Sequence, residues 1–584
     1  MATQLVRRTY TDFRGVDFSN SEVNLYRSPD SVNMWKNYQL GEGIETRPGM
    51  TLLGNLGSQI FGLFFYKIED TIQVIVHCGT KLYRWDNFPN SPVETTKLFE
   101  NMNIRNSNSF VFNNVLFIHD GLHYLEYDGK ECKEVEGTIP ITRLGTLPSG
   151  QIFKDDIDYV YQDVNILTPL RKCAFVADGE STDYYLDSAE LDPAIEYIVE
   201  ATVDGVKKLE AIDFTVDREK GIVTFNEAPV KPVEDGDSNV IITYSKSSED
   251  YKERIKKCTI LTEFDNRIFF SGNPNYPNTV FHSELEDPRY IRNTAYYSIG
   301  LDLAPVKALI PGNDVLWVFK ETIQNYSSVY YMTPTIDGQT GKTYPSVKGN
   351  ISTGCVSTGI NFNDDICFFS KDGLEAIGNT LGNDQILAHR SSLVDSRLIT
   401  NRDYKNVKLA EFRGYLMCLL DSKIFLADSR NLFEKTLNKS EYEWFYWELP
   451  FNINYFTEYQ NDLYLTNEVG DIYILNGDTD NGTDIYSKWT TTKETFGADS
   501  FRKITNKRGG TASVKERNND TINLRTITEI RENDIGTYND VKGYIVYRVK
   551  EKKFKWIQLE FSSNKPFGLF SCTLEAYIGG YVKR

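Results

Sequence analysis

An all-β fold is what this sequence predicts, and three observations predict it. A polar turn followed by a short apolar, aromatic-rich run recurs at a nearly constant interval. Aromatic residues reach 13% of the chain, with 36 Tyr and 34 Phe, and these suit half-buried pleated surfaces. Few stretches carry apolar residues at i, i+3, i+4 and i+7 over three turns, so helices are expected to be short and scarce. The clearest copies of the pattern are NNVLFIHDG (Asn113 to Gly121), DNRIFFSGN (Asp265 to Asn273) and NDVLWVFK (Asn313 to Lys320). NDDICFFSKDG (Asn363 to Gly373), RGYLMCLLD (Arg413 to Asp421) and NDLYLTNEVGD (Asn461 to Asp471) follow. From Ile268 the apolar runs begin 47, 51, 49 and 48 residues apart, at Val315, Ile366, Tyr415 and Leu463. A strand-and-turn repeat of about 40–50 residues signals a β-propeller, a scaffold in which one blade needs neighbours to cover its apolar face.

Residues 1–58 differ from the rest. Phe13 to Met50 is polar and turn-rich, with Phe13, Val16, Leu25, Met34 and Trp35 as its few anchors. SPDSVNMW is read as one helical turn, with Ser28 as N-cap and Pro29 at the first helical position. The segment is read as an extended N-terminal arm, either a surface strap packed on its own domain or an arm reaching a neighbouring subunit. Residues 59–150 hold the first blades: DTIQVIVHCGTKLYRWD (Asp70 to Asp86) is a hairpin around Gly79, and its form returns at Val115.

Between Val115 and Ile268 the rhythm breaks. CAFVADGESTDYYLD, VEATVDGVKKL, FTVDREKGIVTFNEAPV and NVIITYS alternate strands with Gly turns across about 165–247. Residues 151–250 are therefore read as a small β-sandwich inserted at a loop tip, approached by the acidic linker FKDDIDYVYQDV (Phe153 to Val164). The remaining blades occupy 251–484. Residues 485–584 carry longer alternating strands, read as a C-terminal β-domain. Counting the Asp70 to Asp86 hairpin gives seven blades, within a range of six to eight, since strands from both chain ends can close one blade.

The formal net charge of −18 opposes general nucleic-acid or anionic-membrane binding, because phosphate contacts need clustered Lys and Arg. No run approaches 18 apolar residues, and MATQLVRRTYTDF lacks the apolar core of a signal peptide. No membrane anchor is expected. The eight cysteines are scattered without a C-x-x-C pair, which favours free thiols made in a reducing cytoplasm over a disulfide framework.

Catalytic chemistry is poorly supplied. His77, His119, His123, His282 and His389 are the five histidines, and the turn at Gly121 opposes a metal pair from His119 and His123. A His in a strand is more often packed than ligating. GQTGKT (Gly338 to Thr343) has Ile336 where a phosphate loop needs its first glycine, and no apolar strand leads into it. In GDTDNGTD, the residues Asp478, Asp480 and Asp484 sit at spacings near those of a calcium loop. The sixth position is Thr483 and the twelfth Trp489, where Gly and Glu belong, so a solvated turn is preferred and these three stay weak metal candidates. Nothing favours a glycosidase-type carboxylate pair. No enzyme activity, cofactor or metal is expected.

RSPDSVNMWKNY with IETRPGM (Arg27 to Met50), SGNPNYPNTVFHSELEDPRYI (Ser271 to Ile291), LWVFKE (Leu316 to Glu321), FFSKDGLEAIG (Phe368 to Gly378) and GDIYILNGDTDNGTDIYSKWTTTKETFG (Gly470 to Gly497) together resemble a bacteriophage family. Its members are stabilisation or tail tubular (nozzle-type) proteins built around a β-propeller in the tail or neck. The insert's FVADGESTDYYL, VDGV and GIVTFNEAP are similar to small β-modules of phage structural proteins. The last hundred residues fit least well. The resemblance implies a virion protein, made in the bacterial cytoplasm, that forms a ring (a hexamer or other cyclic oligomer) extending or sealing the DNA channel. Implied partners are further copies of itself, adjacent tail, neck or portal-adaptor proteins and tail fibres, with DNA passing through unbound. Arg27, Pro29, Trp35, Arg47 and Pro48 are then candidates for subunit contacts. The rival reading is a propeller adhesin at the tail tip that binds host-surface carbohydrate.

Overall fold

Two-residue turns with left-handed backbone recur along the chain and set its frame. In the computed structural model the successive pairs Asn113–Asn114, Asp265–Asn266, Asn313–Asp314, Asn363–Asp364, Arg413–Gly414 and Gln460–Asn461 all have φ between 47° and 76°. Turns with two positive φ values match the right-handed twist of the strands they join, and Asn, Asp and Gly enter that region at least cost. Each of these turns falls at the start of a repeat found in the sequence. The run that follows becomes a strand: Val115–His119, Arg267–Ser271, Val315–Lys320, Asp365–Ser370, Tyr415–Leu420 and Asp462–Thr466.

The structure describes residues 4–19, 24–153, 161–234, 236–337, 341–379, 385–400, 406–433, 441–506, 509–516 and 521–579. Most of the linker read at Phe153 to Val164, and Gly338 of GQTGKT, lie outside them. With 51% strand and 2% helix, the fold is all-β, arranged as many small sheets. The chain divides into two compact units. The first comprises Met1–Asn106, Gly312–Tyr331 and Lys348–Arg584; the second comprises Ser107–Pro311 and Met332–Val347.

In the first unit, antiparallel four-stranded sheets follow one another. One joins Ile60–Ile68, Thr71–Cys78, Lys81–Trp85 and Thr95–Glu100, and another Gly359–Phe362, Asp365–Ser370, Gly373–Asn379 and Gln385–His389. A third joins Lys408–Phe412, Tyr415–Leu420, Lys423–Phe433 and Glu441–Glu448. Tyr455–Tyr459, Asp462–Thr466 and Asp471–Leu475 begin the next, and its fourth strand is Met50–Asn55 from the other end of the chain, antiparallel to Asp471–Leu475. First strands of consecutive sheets lie side by side, in the order Gly359–Phe362, Lys408–Phe412, Tyr455–Tyr459 and Ile60–Ile68.

This stacking explains why the apolar runs are continuous rather than alternating. Tyr415–Leu420 is buried at every position. Leu416, Cys418 and Leu420 pack with Cys367 and Phe369 of the preceding sheet, whereas Tyr415, Met417 and Leu419 pack with Leu463 and Leu465 of the following one. Each face has a neighbour, so both residue parities are apolar. A buried Leu or Phe contributes about 1.5–3 kcal/mol, and the alternation expected of a half-exposed strand disappears.

The second unit holds two sheets of the same four-stranded form, Asn108–Phe112 through Cys132–Glu134 and Ile260–Phe264 through Tyr296–Ser298. It also holds two sheets with a core of their own. Ile141–Thr146, Leu170–Phe175, Val240–Ser245, Glu200–Val203 and Val206–Leu209 form one, and Asp183–Tyr185, Ile222–Phe225 and Phe214–Asp217 the other. Phe175, Ala201 and Ile242 from the first meet Tyr184, Phe214 and Phe225 from the second. Ile141–Thr146 joins parallel to Leu170–Phe175, so this body starts before residue 151, where the sequence placed its beginning.

Both chain ends depart from expectation. Gln4–Tyr10 pairs along its whole length with Gly568–Ile578, and Ile44–Thr46 pairs with the start of the same strand. Tyr10, Phe13, Met34, Trp35, Ile44 and Met50 are buried in one core with Val514, Leu559, Phe561 and Leu574. The described residues before 59 are therefore strands and straps of their own chain, the strap reading rather than the arm reaching a neighbour, and they complete sheets of the C-terminal region. The helical turn read at SPDSVNMW does not form: the Ser28 Oγ accepts the Asp30 N–H at 3.3 Å, and Met34–Trp35 is a strand.

Asn266, at φ 54°, tests the turn argument. Asn266→Val is expected to lower stability by about 1–2 kcal/mol, whereas Asn266→Gly should leave the thermal unfolding midpoint nearly unchanged.

Candidate functional site

Three of the five residues that the sequence placed at subunit contacts, Trp35, Arg47 and Pro48, lie between Asn33 and Met50, a segment tied by many side-chain hydrogen bonds. Arg47 is its centre. Its side chain is 1% exposed, and all five guanidinium N–H groups have acceptors. Nε donates to the Asn33 Oδ1 at 3.0 Å. Nη1 donates to Asp480 Oδ1 at 2.9 Å and the Pro48 carbonyl at 3.0 Å. Nη2 donates to Asp480 Oδ2 at 2.6 Å and the Glu448 carbonyl at 3.0 Å. One side chain thus ties the N-terminal segment to the end of the Lys408–Glu448 sheet and to the hairpin after Leu475. A buried arginine needs this degree of satisfaction to offset its desolvation.

Around it the contacts are of the same kind. Trp35 is 2% exposed and meets Trp447 edge-on at 5.4 Å. Lys36 Nζ donates to Glu443 Oε2 at 2.7 Å, and burial pushes the Glu443 carboxyl up. Lys515 reaches Glu45 at 3.3 Å. Gly15 lies against Trp444, whose carbonyl accepts the Val16 N–H at 2.6 Å. A Cβ at Gly15 would stand 2.0 Å from that oxygen, so only glycine allows the crossing. Trp35, Arg47 and Arg27 are buried within their own chain, which removes them as subunit contacts. Pro29 and Pro48 are half-buried.

The weak metal candidates are spent otherwise. Asp480 is bound by Arg47, and Asp484 pairs with Lys565 at 2.8 Å. Asp478 precedes the short hairpin of Thr479–Asp480 and Thr483–Asp484. Among the described residues no group of three His, Cys, Asp or Glu is placed to hold a metal ion. All eight cysteines are free thiols. In GQTGKT, Gly341–Thr343 is a strand paired with Thr335–Asp337.

The histidines serve the fold. His119 Nε2 lies 3.0 Å from the Ile255 carbonyl, and its Nδ1 accepts the Gly121 N–H at 3.2 Å. His123 Nδ1 is 3.1 Å from Asp120, and His77 Nε2 is 3.1 Å from the Gly79 carbonyl. Burial holds His282 down at about 4. His389 is the exception in charge. Its Nδ1 lies 2.9 Å from Glu375 Oε1 and its Nε2 2.6 Å from Asp395 Oδ2. Hydrogen bonds to Asp395 and Glu375 push it up to about 10. Ser391 Oγ donates to the other Asp395 oxygen at 2.6 Å, which fixes that carboxylate. Nothing local in the sequence marks this trio, because its members sit on separate strands and a short helix.

A polar cavity of about 370 Å³ opens beside the N-terminal segment, lined by Trp35, Tyr38, Arg413, Tyr415 and Arg430 among others. Its wall is fixed from behind. Asp428 is fully buried and accepts from Tyr38 Oη at 2.5 Å and Arg430 Nε at 2.8 Å. The Arg430 guanidinium lies over the Tyr38 ring at 3.8 Å and the Tyr415 ring at 4.5 Å.

No protein-family model matches the chain, and no curated protein matches it. Among solved structures it is similar to the computationally designed Ika8 protein, at 12% identity and a TM-score of 0.30, covering 73% of this chain and 100% of that one. It is also similar to BamB from Moraxella catarrhalis, at 10% identity and a TM-score of 0.30, covering 76% and 96%. A structure titled glycoside hydrolase matches at 7% identity and a TM-score of 0.20, covering 91% and 100%. At these scores the likenesses carry no argument about activity.

Two outcomes are expected. Arg47→Ala leaves the part-buried Asp480 without its partner and should cost about 2–4 kcal/mol, whereas Arg47→Met with Asp480→Leu should recover much of the loss in thermal unfolding. The pKa of His389 is raised from 6.5 to about 10 in the folded chain, so its stabilisation is fully present below about pH 6.5 and lost as pH rises through about 10. His389→Gln should therefore melt below the parent at pH 6, and the difference should close above pH 10.

Proposed function

We propose that this chain is a structural protein of a tailed bacteriophage, assembled as a ring in the tail or neck around the DNA channel. In this reading the four-stranded sheets are blades of a closed β-propeller of about seven blades, with Met50–Asn55 closing the last blade from the opposite chain end. The observation that carries the proposal is where the resembling segments fall. Arg27 to Met50 and Gly470 to Gly497 hold the residues that resemble the phage family. They are also the segments joined by the Met50–Asn55 pairing and by the Arg47–Asp480 pair. Their side chains hold sheets together rather than line a reaction centre, which suits an assembly part. The histidines, engaged in structural hydrogen bonds, fit the same role.

The charge is consistent with a channel wall. A ring of subunits each carrying −18 presents acidic surface, and such a lumen lets DNA slide without sticking. With Trp35 and Arg47 buried in their own chain, contacts between copies would come from other surfaces, and the inserted two-sheet body is available for a neighbouring virion protein.

Native mass spectrometry of the purified chain, with electron microscopy of particles carrying it tagged, tests the reading. A cyclic oligomer and density in the tail or neck are expected. A strictly monomeric chain, together with complete tailed particles assembled in its absence, would overturn it.

A further inference from the structure

The cavity beside Tyr38 has a chemistry of its own, independent of ring assembly. Glu411 and Glu458 lie on its rim, one repeat apart in sequence. They project from Lys408–Phe412 and Tyr455–Tyr459, first strands that lie side by side. Each sits two residues before its turn begins, at Arg413–Gly414 or Gln460–Asn461. Both are exposed, and among the described residues neither is ion-paired. Burial, and then the Glu411 charge, push the Glu458 carboxyl up.

Opposed to these acceptors are donors held in place. Arg430 is stacked on Tyr38 and Tyr415 and bonded through Nε to the buried Asp428. Its Nη1 also donates to the Arg413 carbonyl at 3.5 Å, and Arg430 and Arg413 both belong to the cavity lining. Gly414, left-handed at φ 76°, keeps the lip low, since a Cβ there would stand 3.4 Å from Arg430 Nη1. Trp35 and Tyr415 are buried beneath the floor, and the exposed Tyr38 supplies the aromatic surface.

Two carboxylates and two guanidiniums line the same space, so an anion meets Glu411 and Glu458 and a cation meets Arg413 and Arg430. A neutral ligand with several hydroxyls meets neither penalty. It can donate to the carboxylates, accept from the guanidiniums and lay an apolar face on an aromatic ring. The volume is at the small end of ligand pockets, which run ~300–1,000 Å³. The geometry points to a binding site for a neutral sugar, a hexopyranose unit held between Glu411, Glu458 and Arg430.

Saturation-transfer NMR and calorimetry on the full chain test this. The probes are D-glucose, D-galactose, N-acetyl-D-glucosamine and maltotriose, with L-glutamate, spermidine and inorganic phosphate as charged controls. At least one neutral sugar is expected to bind, with affinity lowered tenfold or more in both Glu411→Ala and Glu458→Ala. These exposed positions should leave the melting temperature unchanged. Arg430→Lys, which keeps the charge but loses the planar fork, should weaken the same sugar similarly. No binding by any of the four sugars, binding that survives all three substitutions, or binding confined to the charged probes would overturn the assignment.

Discussion

The pairing of Met50–Asn55 with Asp471–Leu475 is the constraint on which the first unit depends. It joins segments more than four hundred positions apart and makes the N-terminal region the fourth strand of a sheet that the rest of the chain leaves three-stranded. Arg47 reinforces it by bonding three separate stretches at one buried point. Loop-closure entropy grows only slowly with length, so such a long link is thermodynamically tolerable. Its cost is kinetic, because non-local pairing forms late. The N-terminal segment must then wait for Asp471–Leu475 before it can be buried.

The clasp works because the sheets beneath it are packed on both faces. Each second strand places alternate side chains into two cores, as Leu416 and Met417 do. A sheet without its neighbour exposes one full set. Stability is therefore shared between adjacent sheets, and a closing strand at the end protects the last of them. Hydrogen bonds between sheets add to this: the Lys408 ammonium donates to the Asn454 carbonyl, and the Asn454 side chain donates to the Ile60 carbonyl. Burial lowers Lys408 to about 8, the expected consequence of holding an ammonium between packed sheets.

What was legible in the sequence was local and periodic. Asn113–Asn114 or Asp265–Asn266 declares a turn by its own backbone preference, and the apolar run after it declares a strand buried on both faces. The all-β class and the position of each repeat followed from these. The arm reading failed because Met34–Trp35 and Ile44–Thr46, which pair with each other, are short, and the distant partners of Ile44–Thr46 and Gln4–Tyr10 lie in Gly568–Ile578. No period survives in two or three residues. Asp480 stayed a weak calcium candidate for a similar reason: its partner Arg47 belongs to a distant turn. The His389 trio and the Glu411–Glu458 cavity were equally hidden. They arise from neighbours across strands, and only the one-repeat spacing of the two glutamates left a trace.

Hydrogen–deuterium exchange of the purified chain tests the closing strand most directly. The account predicts that amides of Met50–Asn55 that bond to Asp471–Leu475 exchange as slowly as those within Asp462–Thr466. Rapid exchange across Met50–Asn55 while Asp462–Thr466 stays protected would show an N-terminal segment detached from its own chain, and would contradict it.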